Sequence, residues 1–180
     1  TKRKERKRIE AIVGASGELH FILELINNAN EDTIKRNIIK SWESENSRSI
    51  IDFSFNRSKI KIEVKSTLLN NRYHHINDIK QLQCRQNDRG FLLSNCFMES
   101  KNGRTNSDLV NEIKESLGIE AISTLENKID LRGKECLDDK LKLQINENLM
   151  PKLYNFDSVP VPIGNEFIDQ LTWYVYLDEI

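Results

Sequence analysis

Asp52, Glu63 and Lys65 are the residues of this 180-residue chain whose types and spacing could do phosphodiester chemistry together. They sit where apolar and polar side chains alternate, over residues 50–55 and 60–65. Phe53, Phe55, Ile60, Ile62 and Val64 would share one face of a hairpin, and Asp52, Ser54, Lys61, Glu63 and Lys65 the other, because successive strand residues point to opposite faces. The linking Asn56-Arg57-Ser58-Lys59 is polar and lacks glycine. A four-residue loop fits it as well as a two-residue turn, and either symmetric turn keeps one register. In that register Phe55 faces Ile60, Phe53 faces Ile62 and Asp52 faces Glu63. Opposed side chains have Cβ atoms only about 4.5–5.5 Å apart, and like charges there destabilise a sheet. A divalent cation between the two carboxylates removes the conflict. Mg²⁺ takes oxygen ligands, keeps several waters and needs one or two carboxylates from protein. Lys65, about two rises of ~3.3 Å past Glu63 on the same face, could align an attacking water and offset developing negative charge. A solvated hairpin face carrying one Glu–Lys pair would have the same pattern, and an isolated Glu-x-Lys is common in strands.

The surroundings narrow this choice. Gly17-Glu18-Leu19-His20-Phe21-Ile22-Leu23, then Trp42 with Asp52-Phe53, then Ile62-Glu63-Val64-Lys65-Ser66-Thr67, then Ile76 to Gln81-Leu82 follow an order and spacing that resembles the PD-(D/E)xK superfamily of restriction-endonuclease-like nucleases. Within it, the chain is most similar to a bacterial group of PD-(D/E)xK motif proteins found near phage-defence genes. The resemblance extends more loosely through Val159-Pro160-Val161-Pro162 to Trp173–Leu177. It implies an α/β fold whose core runs helix, three-stranded meander, helix, strand. It also implies a Mg²⁺-dependent endonuclease (Mn²⁺ as substitute) acting on DNA in a restriction or phage-defence system, with other subunits or a second copy as further partners. Asp52 and Glu63 would ligate the metal, with the Val64 carbonyl as a third ligand. Lys65 would position or activate the water. Glu18 matches the helix acid that reaches the metal directly or through water, and Gln81 a glutamine that closes the site. The Gln-xxx-Tyr pattern of some related exonucleases is not kept, since Arg85 stands four residues after Gln81; an arginine there could hold a phosphate. Lys61, Ser66, Thr67, Arg72, His74 and Arg85 are the expected DNA contacts. The adjacent His74 and His75 diverge in a strand and are not expected to chelate together. His20 reads as a packed or capping histidine, and Trp42 and Trp173 as core.

These residues need elements to hold them. Ile9, Ile12, Val13, Leu19, Ile22, Leu23 and Ile26 recur at helical spacing, so one helix is expected over Glu5–Asn28. Gly14 and Gly17 cost it roughly 1 kcal/mol each against Ala and suggest close approach of a neighbour. A second helix is expected over Asp32–Trp42, and a short one over Asn77–Gln86 with Asn77 as cap. A strand should follow over Gly90–Met98, then helices over Ser107–Leu117 and Glu120–Leu131 with glycines near their ends. Strands are expected over Leu141–Ile145, Leu149–Phe156 and Thr172–Leu177, with Pro160 and Pro162 breaking the chain between the last two. Residues 1–135 would form the nuclease core in a mixed sheet, and 136–180 a β-rich extension on the same domain.

Composition sets the outer bounds. Hydrophobic residues are 38% and charged residues 31%, as in a soluble globular domain, and no apolar run approaches the ~18 residues of a membrane span. The basic start, Thr1–Arg8, precedes no apolar stretch and is not a secretory signal. The chain has no initiator Met, and members of the resembled group are longer at the N-terminus, so a preceding segment is expected. Cys84, Cys96 and Cys136 form no CxxC pair, which favours a reducing, cytoplasmic setting over zinc or disulfides. Net charge is −1, but residues 1–90 carry 18 Lys/Arg against 12 Asp/Glu, and residues 91–180 carry 9 against 16. A polyanion would be drawn to the first half. There is no GxxxxGK[ST], GxSxG or HExxH. The competing reading is a nuclease fold that docks DNA or a partner subunit without cutting.

Overall fold

The computed structural model describes residues 2–43, 51–76, 79–84, 87–160 and 173–177. The first helix, α1, spans Lys2–Asn27 and buries Ile12, Ala15, Leu19, Ile22, Leu23 and Ile26. A β-carbon at Gly17 would collide with the Ser66 hydroxyl, so this glycine lets the helix lie directly on the sheet. Gly14 has nothing within 4 Å of that position. Helix α2 spans Asp32–Ser41 and delivers the chain to Trp42, which is fully buried.

Strands β1 (Phe53–Phe55) and β2 (Ile60–Thr67) form the expected antiparallel hairpin, with Phe53 opposite Ile62 and Phe55 opposite Ile60 across a four-residue turn. The ladder begins at Phe53; Ile51 and Asp52 lie in a bend just before it. Strand β3 covers Tyr73–Ile76 and is followed by a 3₁₀ helix, Ile79–Leu82. Strand β4 (Arg89–Arg104) runs parallel to β2, from Ile60 opposite Arg89 to Thr67 opposite Cys96. Helices α3 (Asn106–Glu115) and α4 (Ile119–Arg132) follow, α3 opened by a reciprocal Thr105–Asp108 capping box. Strands β5 (Leu143–Ile145) and β6 (Lys152–Asn155) both pair antiparallel with β4, and β7 (Trp173–Tyr176) pairs with β3. The large sheet is therefore mixed, with order β1-β2-β4-β5 and β6 also on β4.

An antiparallel run does enter the sheet through Trp42, β1 and β2, but its first member is a single bridge, Trp42 to Phe53. Two details depart from the expected core. Strand β3 leaves the large sheet for β7 in a sheet of two strands. The expected helix after it is, among the described residues, the 3₁₀ turn alone. Ile79 and Leu82 are three apart, which suits that turn, and Cys84 is the last apolar residue before the strand begins at Arg89. The proposed Asn77 cap lies outside the described residues. Strand β6 starts later than expected because Pro151 has no N–H to give to a ladder.

The main core lies between the sheet and the helices. It joins Leu19, Ile22 and Ile26 of α1, Ile39 and Trp42, Phe53, Ile62 and Val64 of the hairpin, and Leu109, Ile113, Leu125 and Ile129 of α3 and α4. A second cluster joins Ile76, Leu82, Leu92, Tyr154, Phe156 and Leu177. No helix among the described residues is long and apolar enough to cross a membrane.

Candidate active site

The local backbone places three carboxylates together. Where the β1–β2 ladder ends, the Asp52 side chain takes over: its Oδ2 accepts the Val64 N–H at 2.8 Å, while its carbonyl accepts from the Glu43 N–H at 2.7 Å. One residue back along β2, Glu63 is buried, and two residues on, the Lys65 ammonium lies 2.8 Å from Glu63 Oε1. The same ammonium donates to Gln81 Oε1 at 3.3 Å, so the 3₁₀ turn closes one side. Glu18 comes in from α1. Trp42 Nε1 donates to its Oε2 at 2.6 Å, and Arg132, the last residue of α4, donates to its Oε1 at 2.8 Å.

Burial sets the electrostatics. It raises the Glu18 and Glu63 carboxyls to about 8, with the Asp52 charge the next largest cause for each. It raises Asp52 as well, against the Val64 N–H and the Arg132 and Lys65 charges, which pull it down. Packing three carboxylates this closely is unfavourable unless cations share the space.

The centre opens into a cleft of about 1500 Å³. Glu18, Asp52, Glu63, Lys65 and Gln81 line it, as do Ser66 and Thr67. So do Lys2, Arg3, Arg6 and Lys7, which puts the basic start of α1 on the wall of the same cleft.

The family model described as "Putative PD-(D/E)XK family member, (DUF4420)" matches residues 4–144. The chain belongs to this family. No curated protein and no solved structure matches it. Glu18, Asp52, Glu63, Lys65 and Arg132 all fall inside the matched residues, whereas β6 and β7 lie beyond them.

The donor set fits a hard divalent cation of the kind PD-(D/E)XK nucleases generally use. All the candidate ligands are oxygens. Glu63 Oε2 is buried and has no hydrogen-bond partner among the described residues, an arrangement that costs roughly 1–3 kcal/mol unless something binds it. No three His, Cys, Asp or Glu side chains among the described residues form a metal cage by themselves. A cation here would have two carboxylates, a backbone carbonyl and water.

Not every expected contact faces the cleft in the same way. Lys61 turns to the Ser54 hydroxyl on β1. Arg72 is buried and donates to the Ser94 and Met150 carbonyls, tying β4 to the turn before β6, so its guanidinium is turned into the protein rather than outward. His74 lines the cleft but is buried, with Nε2 2.7 Å from Ser94 Oγ. Arg85 lies outside the described residues. Trp42 is core, as expected, and is also a donor to the site. Arg132 is the residue that sequence reasoning misses. An arginine in the last turn of a helix reads as a partner of the helix dipole, and nothing in its neighbourhood marks it as facing α1.

Proposed function

We propose that this protein is a metal-dependent deoxyribonuclease that hydrolyses DNA phosphodiester bonds as an endonuclease, with Mg²⁺ as its cation and bacterial restriction or phage defence as its setting. The observation that carries the reading is the convergence of Asp52, Glu63 and Lys65 at the floor of a basic-walled cleft, with one Glu63 oxygen buried and unsatisfied. Asp52 and Glu63 hold the cation, aided by the Val64 carbonyl. When bound, the cation supplies Lewis acidity toward the phosphoryl oxygens and lowers the pKa of coordinated water.

The residues do the rest. The Val64 N–H fixes the Asp52 carboxylate in place. Lys65 is held between Glu63 and Gln81, so its ammonium is aimed rather than free. It orients the attacking water and offsets negative charge growing on the phosphoryl oxygens. The water oxygen forms the new P–O bond and releases a proton to solvent, one ester P–O bond breaks, and the leaving alkoxide takes a proton from solvent in the open cleft. The basic first turns of α1 hold the flanking backbone.

Supercoiled plasmid cleavage with Mg²⁺ or Mn²⁺ tests this, comparing the parent with Lys65→Ala. Nicking or linearisation is expected in the parent and should be lost in the variant. DNA binding without cleavage under either metal would instead favour a docking module that keeps the nuclease fold.

A further inference from the structure

Arg132 is the most constrained charge in the centre. Its side chain is only 9% exposed, and it ends α4 where Gly133, at φ +103, turns the chain away. The guanidinium lies 4.8 Å over the Trp42 ring. Nη1 reaches Glu18 Oε1 at 2.8 Å, and Nη2 reaches Glu18 Oε2 at 2.6 Å. Nη2 also donates to the Glu43 carbonyl at 3.0 Å and stands 3.6 Å from Asp52 Oδ1. Both oxygens of Glu18 are thus engaged by Arg132, and one of them by Trp42 as well. Bidentate Arg–carboxylate pairs are among the strongest side-chain contacts, and burial raises the cost of breaking one.

We propose that Arg132 is a built-in second cation: it occupies the space between Glu18 and Asp52, so that the centre takes a single divalent ion on the Asp52–Glu63 side and Glu18 serves Arg132 rather than the metal. The inference rests on the metal-dependent reading above and goes beyond it by fixing the number of ions. Charge balance agrees. With the carboxylates deprotonated, as a bound divalent ion requires, three of them face two fixed cations, Lys65 and Arg132. One divalent ion reverses the small negative excess, whereas two would leave a large positive excess in a buried space. Arg132 is on this account a positioning residue. It acts by holding Glu18 and steadying the Asp52 face.

Mn²⁺ titration of the full chain, followed by electron paramagnetic resonance and calorimetry, decides the matter. The parent should bind one Mn²⁺. Glu18→Gln should also bind one, with affinity within about twofold of the parent, whereas loss of a true ligand would cost at least ~10-fold. Arg132→Met should bind two, and the second should vanish in the Arg132→Met/Glu18→Gln double variant. The thermal midpoint of Arg132→Met should also rise more with Mn²⁺ than that of the parent, because the ion replaces the lost guanidinium. Two ions in the parent, or a tenfold loss in Glu18→Gln, would overturn the proposal, and the Glu18 variant remains decisive even if Arg132→Met does not fold. A parent that binds no Mn²⁺ would remove the metal reading itself, a different failure from either of these.

Discussion

Asp52 and Glu63 have different environments, and this separates their expected phenotypes from a general loss of fold. Asp52 is partly exposed and its carboxylate is held by one backbone N–H, whereas Glu63 is buried with one oxygen bonded to Lys65 and the other unpaired. Asp52→Ala and Glu63→Ala should each abolish cleavage and weaken Mn²⁺ binding at least ~10-fold, and titration of either variant at parental affinity would remove it from the metal site. Glu63→Gln should also fold at least as stably as the parent in EDTA above about pH 8, where the parent would have to bury the Glu63 charge and the amide carries none. The pH response follows from the same burial. Glu63 keeps its proton in the fold up to about 8, while an unfolded chain releases it near 4.5. Between those limits the folded state binds more protons than the unfolded one, so stability is fullest at the acid end and falls as pH rises. The thermal midpoint in EDTA should therefore drop from about pH 5 to pH 8. Saturating Mg²⁺ should flatten the slope, since the ion takes the carboxylates deprotonated. A flat profile in EDTA would mean that Glu63 is not buried as described.

Among the elements, the hairpin is the most legible from sequence. Period-two alternation names its faces, and a symmetric turn then leaves one register, which is the one found. Helix α1 is legible for the same reason at a period of 3.6. What local pattern does not supply is the partner of each element. Nothing in Tyr73–Ile76 says that it pairs with Trp173–Tyr176 rather than with β2, and nothing around Arg132 says that it meets Glu18, because both depend on chain folded from far away. Arg72 departs from expectation for a related reason: a basic residue in a polar loop suggests solvent, whereas the carbonyls of Ser94 and Met150 draw it inward. Gly17 offers a test of how closely α1 lies on β2. Gly17→Ala should destabilise the protein by about 1–3 kcal/mol through overpacking, or roughly 2–4 °C of thermal midpoint per kcal/mol in a chain of this size. Ser66→Gly in the same chain should recover part of the loss, since the Ser66 hydroxyl is the atom in the way. Additive losses in the double variant would show that the contact is not the cause.

Across the whole molecule, charge asymmetry becomes a geometric statement. The basic excess of the first half is concentrated at the start of α1, and α1 carries it along the cleft wall away from Glu18. At ~1.5 Å per helical residue, Lys7 and Lys2 lie about 16 and 24 Å from Glu18, or about five to seven base steps of 3.4 Å. Replacing Lys2, Arg3 and Lys7 by Ser should weaken DNA binding at all sequences alike. The log–log salt slope should also fall by about one for each phosphate that is no longer neutralised. An unchanged slope would mean that the DNA leaves the cleft by another path.

The Glu18–Arg132 pair spans 114 positions of sequence. A chain emerging from the ribosome presents Glu18, Asp52, Glu63 and Lys65 well before α4 has been made. Until Arg132 arrives, Glu18 has no guanidinium and nothing fastens α1 to the end of α4. The carboxylate centre is therefore a late product of synthesis, completed only when α4 has been made. A translation product that stops short of α4 would carry Glu18, Asp52, Glu63 and Lys65 without the arginine that holds Glu18.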